Sequence, residues 1–241
     1  MQGNKNKLKL PKYDFIISFG ESCFTAILLR KLGLRIMSGP FDWCVGATFE
    51  ERVNIFLNDF RDYFNKEDFE FKNIDASGKA AYLNKRTKIT YNHDFPKDVD
   101  FDVSYPQIYE KYQRRIVRSL DKIKKSKNTL IVYIELPISN GGVLSNEELI
   151  TISEKLDKNI DILYVKHNPT LEKGEVLLQR ISEKVIFIEC YNKSYDINAP
   201  LFANNFDNSK LCFKGINVKN RFFNVLFYKF SKNLKKIKEY R

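Results

Sequence analysis

The chain of 241 residues is 43% hydrophobic and 29% charged, which is ordinary for a folded globular protein and excludes extended disorder. Its formal net charge is +11, but residues 217–241 alone contribute +7, so the basicity lies mostly in a tail and no nucleic-acid partner is expected. One domain spanning 1–241 is predicted, with its core at 12–216.

The cysteines and the apolar runs indicate the cellular compartment and whether a metal or cofactor is expected. No run is long enough for a membrane span or a signal-peptide core, so we expect a cytoplasmic protein. The four cysteines are widely spaced and form no C-x-x-C pair, which predicts reduced thiols rather than a disulfide framework or a zinc site. We expect no metal and no cofactor, and the sequence leaves the oligomeric state open.

A strand-to-helix turn near the N-terminus is the first candidate site. Apolar residues at 15–19 predict a buried strand, and apolar residues at a spacing of four predict a helix that begins near Cys23. A cysteine in the first turn of a helix meets unpaired N–H groups and the positive end of the dipole, which favour a thiolate. The backbone of Gly20, Glu21 and Ser22 could also hold an oxyanion. The alternative is a small buried cysteine with no chemical role.

A loop and a second helix follow. A Gly-Pro pair interrupts regular structure and delivers Asp42 and Trp43 into a loop. Both could serve the site because they follow it closely in sequence, although simple packing is the alternative. The pattern over 48–65 predicts a helix, which begins with a capping box of Thr48 and Glu51.

One of the two histidines lies in the segment 66–104, which predicts an irregular α+β insertion of short strands and loops. Pro96 disfavours helix before it, so His93 is expected on extended or turn backbone, from which its ring can project into a cleft. A neutral imidazole can take a thiol proton near neutral pH, so we interpret His93 as a general base oriented by Asp94 or Asp42. An exposed loop histidine is the alternative.

A long amphipathic helix is predicted over 105–125, with one apolar and one basic face. Arg114 and Arg115 lie in this helix. They are candidates for binding an anionic part of a substrate, and a solvated basic face is the alternative.

Strands and helices then alternate along the chain. The predicted strands are 129–136, 160–165 and 185–189, and the predicted helices are 145–156 and 171–183. This alternation predicts a three-layer α/β protein with a mostly parallel sheet flanked by helices. Ligands bind such sheets beyond the carboxyl ends of the strands, where Cys23, Glu135 and His167 fall. His167 is therefore a rival to His93 as the base.

The chain closes with a basic amphipathic helix predicted over 217–239. It could dock on the core. It could also make a peripheral contact with an anionic membrane surface.

Five ordered motifs carry a family resemblance. They are 18–23 (SFGESC), 29–35 (LRKLGLR), 39–43 (GPFDW), 93–95 (HDF) and 111–116 (KYQRRI). Through them the chain resembles a bacterial family of papain-like cysteine peptidases, a domain of unknown function whose label is itself a prediction. The resemblance implies Cys23 as nucleophile and His93 as its base, with Asp42 or Asp94 as a third member. Gly-Glu-Ser before the cysteine departs from the smaller or amide side chains associated with the family.

A second similarity, to capsule-polysaccharide acetyltransferase-like proteins, lies in the glycine-preceded cysteine after the first strand. It implies a coenzyme A thioester as co-substrate and a sugar hydroxyl as acceptor. The sequence thus predicts a Cys-His acyl-transfer enzyme that acts on a peptide or a glycan. A non-catalytic module that binds a glycan or an anionic surface is the contrasting class.

Overall fold

The computed structural model describes residues 11–75, 78–135, 144–172, 175–190, 212–219 and 221. In chain order the helices and strands of this described part are β1 (Lys12–Tyr13), β2 (Phe15–Ser18), α1 (Cys23–Lys31), β3 (Val45–Gly46), α2 (Phe49–Leu57), β4 (Phe69–Ile74), β5 (Lys79–Asn84), β6 (Ile89–Pro96), α3 (Phe101–Lys125), β7 (Thr129–Ile134), α4 (Asn146–Glu154), β8 (Ile160–His167), β9 (Val176–Arg180), β10 (Val185–Cys190) and β11 (Asn217–Val218). A 3₁₀ helix at Lys66–Asp68 precedes β4.

The largest sheet has five strands in the order β2-β7-β8-β10-β9. Neighbours among β2, β7, β8 and β10 run parallel, whereas β9 pairs antiparallel with β10. The register aligns Ile17 with Ile131 and Ile131 with Ile162, so apolar side chains form rows across the sheet. The predicted α/β class is confirmed. The sheets as a whole are mixed, and they do not form the clear three-layer parallel arrangement that the sequence predicted.

Both faces of this sheet are buried, because successive side chains of a strand point to opposite sides. On one face Ile16 packs in a core that includes Phe24 and Leu28 of α1. On the other face Ile17 and Ile131 join a larger core that reaches α2, α3 and α4. The helix that begins with Cys23 therefore covers the opposite face from the other three.

The expected irregular insertion at 66–104 is instead largely an antiparallel sheet. Its strand order is β3-β6-β5-β4. The sheet packs on α3 through aromatic rings: the centroid of Tyr112 in α3 lies 5.2 Å from that of Tyr91 in β6. The centroid of the Tyr112 ring also lies 4.6 Å from that of Phe64, in the segment between α2 and β4. This sheet matters for function because β6 carries His93.

The predicted strands at 129–136, 160–165 and 185–189, and the predicted helices at 105–125 and 145–156, are confirmed with small shifts of their ends. The helix predicted over 48–65 has its capping box, but it ends at Leu57. Two left-handed residues, Asp59 (φ 52°) and Phe60 (φ 56°), then turn the chain away from the helix axis.

The helix predicted over 171–183 is wrong, because Val176–Arg180 forms the strand β9. Leu177 and Leu178 are 40% and 37% exposed, so this segment has no buried stripe of the kind that stabilises a surface helix. The open edge of β10 offers unpaired backbone groups, and β9 pairs with them.

The predicted closing helix lies almost entirely outside the described residues. Its first two residues, Asn217–Val218, form β11, which pairs in parallel with β1. Within the described chain, no helix combines the length and the apolar character needed to cross a membrane.

Candidate active site

The turn between β2 and α1 places Cys23 at the start of a helix. β2 ends at Ser18, and Cys23 is the first residue of α1. Ser22 is the N-cap: its hydroxyl oxygen accepts a hydrogen bond of 3.3 Å from the backbone N–H of Phe24. The predicted strand-to-helix turn is therefore present, and the cap explains why the helix begins there.

Gly20 lets this turn pack closely against the helix that follows. A Cβ atom at position 20 would lie 1.8 Å from Oγ1 and 2.3 Å from Cβ of Thr25. No pair of non-bonded heavy atoms tolerates such distances, so the close approach requires glycine. The Gly20 N–H donates to Ser18 Oγ at 3.3 Å, which engages this amide within the turn.

Cys23 is partly exposed, but its thiol is not acidic. All four cysteines lie in described residues and are free; Cys23 is partly exposed, and Cys44, Cys190 and Cys212 are buried. Burial raises the pKa of the Cys23 thiol, neighbouring Cys44 raises it further, and the Cys23 backbone N–H opposes them. The helix start thus does not produce the low pKa that the sequence suggested, so a base has to take the proton.

Arg52 links the turn before the candidate nucleophile to the loop that follows Trp43. The Arg52 side chain is fully buried. Its guanidinium donates to the backbone carbonyls of Glu21 at 3.4 Å, of Ala47 at 3.3 Å and of Gly46. A buried cation bonded to two separate segments holds them in a fixed relation.

His93 lies in a bulge of β6. Between β5 and β6 the register pairs Ala80 with Phe95 but Tyr82 with Tyr91, so β6 has three residues where β5 has one. Bulges re-aim side chains and recur beside active sites. His93 is exposed although its strand neighbours Tyr91 and Phe95 are buried, as expected for a ring that the bulge turns outwards.

Two side chains flank the His93 ring. Trp43 meets it edge to face, with ring centroids 6.4 Å apart. Asp75 Oδ2 lies 3.9 Å from His93 Nδ1, a distance at which a protonated imidazole forms an ion pair. Asp75 is held in place because its Oδ1 accepts a hydrogen bond of 2.9 Å from the Lys79 backbone N–H across the β4–β5 hairpin. Our sequence analysis did not identify Asp75.

The two carboxylates that the sequence proposed for orienting the histidine have other partners. Asp42 is fully buried, pairs with Arg35, and accepts a hydrogen bond of 2.9 Å from the Gly39 backbone N–H. Asp94 pairs with Lys111 of α3, and it accepts a hydrogen bond of 2.6 Å from the hydroxyl of Tyr112 in the same helix. Both carboxylates therefore tie loops or strands to the core around the site.

The two candidate arginines of α3 differ sharply. Arg114 lies on the surface, where its guanidinium is 3.7 Å from Glu110 in the same helix. Arg115 is only 9% exposed and lies 4.9 Å from the ring centroid of Tyr112. Only Arg115 faces the interior beside Asp42, whose pKa it lowers.

A second group of titratable residues lies at the carboxyl edge of the central sheet. The Glu21 side chain is buried there and accepts a hydrogen bond of 3.3 Å from the hydroxyl of Tyr133. Burial raises the pKa of Glu135 to about 7, with Lys166 opposing this effect and Glu21 adding to it. His167 is half-buried at the end of β8, and burial lowers its pKa.

In the structure, Trp43 and Asp75 lie beside His93. Arg52 connects the turn before Cys23 to the loop at 44–47. Among the described residues, no hydrogen bond connects Cys23 with either histidine, and no group of three or more His, Cys, Asp or Glu side chains could hold a metal. Catalytic hydrogen bonds often tighten only when substrate binds, so His93 and His167 are both candidate bases.

These features define an α/β protein with a partly exposed cysteine at the start of a helix and a histidine on a neighbouring sheet. The chain belongs to the family described as "Putative papain-like cysteine peptidase (DUF1796)", whose model matches residues 14–172. The match includes both Cys23 and His93.

A viral relative extends the comparison. Over 193 residues the chain is 27% identical to the uncharacterised protein R408 of Acanthamoeba polyphaga mimivirus. The aligned stretch covers 72% of this chain and 86% of the relative. No solved structure matches the chain.

Proposed function

We propose that this protein is a cysteine hydrolase of the peptidase type, with Cys23 as nucleophile and His93 as general base. The observation that carries the proposal is the position of Cys23, partly exposed at the first residue of α1. Family membership supports it, because the family description names a cysteine peptidase and the matched residues contain both side chains.

The raised pKa of the Cys23 thiol makes a base necessary. Burial keeps the sulfur protonated near neutral pH, and only the thiolate is a competent nucleophile. An imidazole that removes the proton as the sulfur attacks supplies the missing activation. The other cysteines are buried, which leaves their sulfur atoms out of reach of a substrate.

The reaction needs no group beyond these side chains and water. The His93 imidazole accepts the Sγ–H proton, and the sulfur bonds to the carbonyl carbon of the substrate. The N–H of Cys23, which lies close to its own sulfur, is suited to donate to the resulting oxyanion. The C–N bond then breaks, the imidazolium gives its proton to the leaving amine, and water hydrolyses the thioester with the imidazole again as base.

Asp75 is the carboxylate suited to orient His93. Its Oδ2 lies 3.9 Å from Nδ1, so it can orient the ring from that side and leave Nε2 available for the thiol. The roles first proposed for Asp42 and Asp94 are better assigned to holding the surrounding loops, because arginine and lysine side chains already pair with them.

Acyl transfer from a coenzyme A thioester to a sugar hydroxyl shares the first half of this mechanism. Only the donor and the acceptor differ. Both versions require an acylated Cys23, so one experiment tests the common step.

The test is acylation by 4-nitrophenyl acetate, a generic acyl donor, followed by nitrophenolate release and intact-protein mass spectrometry. We expect one acetyl group on the wild-type protein and none on Cys23→Ser. His93→Gln should slow acylation by about 10²- to 10⁴-fold, and His167→Gln should leave it unchanged. Acylation of Cys23→Ser at the wild-type rate would refute the assigned nucleophile, and slowing by His167→Gln alone would move the base to that residue.

Peptidase and transferase are then separated by the substrate. Cleavage of peptides that stops in Cys23→Ser would support the hydrolase. Accumulation of acetyl-Cys23 with acetyl-coenzyme A, without peptide cleavage, would favour the transferase.

A further inference from the structure

Three arginines converge on one carboxylate beside the candidate active site. Arg35 pairs with Asp42, and the side chains of these two residues are 6% and 0% exposed. Arg30 of α1 and Arg35 both lie over the Trp43 ring, with their guanidinium carbons 5.8 and 5.9 Å from its centroid. Arg115 approaches from α3, and all three arginines lower the pKa of Asp42 against the effect of its burial.

Arg115 has an unused donor in this cluster. The residue is nine-tenths buried, and its Nη1 atom has no hydrogen-bond partner anywhere in the described chain. Its guanidinium rests instead on the ring of Tyr112, 4.9 Å from the centroid. A buried charged donor without an acceptor is costly, so such a group is expected to have an anionic partner.

The charges of the cluster do not balance. Two largely buried guanidinium groups, those of Arg35 and Arg115, act on the single carboxylate of Asp42. The neighbouring carboxylate of Asp94 is already engaged by Lys111 and by the Tyr112 hydroxyl. An excess of positive charge in a largely buried place repels itself unless an anion neutralises it.

We propose that Arg30, Arg35 and Arg115 bind a phosphoryl group of the substrate. Guanidinium groups present planar forks of N–H donors that match tetrahedral oxyanions such as phosphate. Arg30 and Trp43 are half-buried, so the cluster opens to the surface on their side.

The location relates this subsite to the chemistry. Trp43 contacts both sets of residues, with the arginines over its ring and His93 at its edge. This inference rests on the proposed function and deepens it: the substrate is a carbonyl compound whose phosphoryl group anchors it beside the reacting atoms.

The experiment is titration of the full-length protein with inorganic phosphate at about pH 8 by isothermal calorimetry, with acetate as the carboxylate comparison. Arg115→Gln should weaken phosphate binding by about 10- to 100-fold, because it removes a buried charged donor. Arg30→Gln should also weaken binding. Arg114→Gln is the matched control, since it removes an exposed guanidinium from the adjacent position and should leave binding unchanged. Thermal unfolding of each variant checks that it is folded.

Three outcomes would overturn the subsite: no phosphate binding by the wild-type protein, equal binding by folded Arg115→Gln, or preference for acetate. The same titration on Cys23→Ser keeps this result separate from the proposed function. If phosphate binds Cys23→Ser normally but Cys23 of the wild-type protein is not acylated, the subsite is supported and the proposed hydrolase is refuted. If Cys23 is acylated but phosphate does not bind, the hydrolase is supported and the subsite is refuted.

Discussion

Replacing Arg52 by methionine should destabilise the protein and loosen the turn that carries the candidate nucleophile. The fully buried guanidinium donates to the carbonyls of Glu21, Gly46 and Ala47. Each such bond contributes about 1 kcal/mol net, so losing three costs about 3 kcal/mol of the free energy of unfolding. Arg52→Lys keeps the charge but has no fork to reach all three acceptors, so it should recover only about a third of that loss.

Equilibrium unfolding in urea measures the effect, with Arg61→Met as the control. Arg61 is an exposed arginine a few residues beyond the end of α2, and its replacement should change stability by less than about 0.5 kcal/mol. Alkylation of Cys23 by iodoacetamide should become faster in Arg52→Met, because the turn before it loses its attachment to the loop at 44–47. If Arg52→Met unfolds within about 1 kcal/mol of wild type, the buried guanidinium does not hold these segments together.

Three further predictions concern local structure and pH. Gly20→Ala should destabilise the protein by about 1 to 3 kcal/mol, because the added Cβ atom would lie 1.8 Å from Oγ1 of Thr25. Thr48→Ala should cost about 1 kcal/mol, because the capping box of Thr48 with Glu51 opens α2. Glu135 has a folded pKa of about 7 against an ordinary 4.5, so folding favours its neutral form and its contribution to stability falls as pH rises from 4.5 to 7. Glu135→Gln should therefore gain on the order of 1 kcal/mol relative to wild type at pH 8, but not at pH 4.

Urea unfolding of matched variants checks each of these predictions. Ala81→Gly provides a contrast to Gly20→Ala, since it removes rather than adds a buried methyl group. An unchanged midpoint for Gly20→Ala would mean that the turn relaxes without cost. Thr48→Ser should retain the cap, so equal losses in the serine and alanine variants would contradict the capping argument. A pH-independent difference between Glu135→Gln and wild type would show that the carboxyl is not held neutral.

The antiparallel sheet shows why part of the fold could not be read from the sequence. Tyr91 of β6 packs against Phe64, which lies between α2 and β4, and against Tyr112 of α3. Aromatic residues occur in both strands and helices, so they do not identify either element. The bulge that exposes His93 depends on register with β5, which is a non-local property. Likewise, the run at Val176–Arg180 becomes a strand because β10 presents an open edge to it.

Other features were determined locally, by the sequence itself. The apolar run at Phe15–Ser18, the Ser22 cap and the helix beginning at Cys23 all follow from neighbouring residues, as does the capping box of Thr48. Short-range hydrogen bonds and side-chain periodicity fix such elements whatever the rest of the chain does. They suffice to place a cysteine at the start of a helix.

Only the tertiary structure decided what surrounds that cysteine. Burial reversed the pKa shift expected from the helix start, since desolvation depends on every segment packed around the sulfur. The fold brings Asp75 close to His93, and Arg115 close to Asp42, from separate parts of the chain. The sequence by itself determined the candidate nucleophile and its helix, whereas long-range packing chose its electrostatic partners, because charge interactions depend on distances in space.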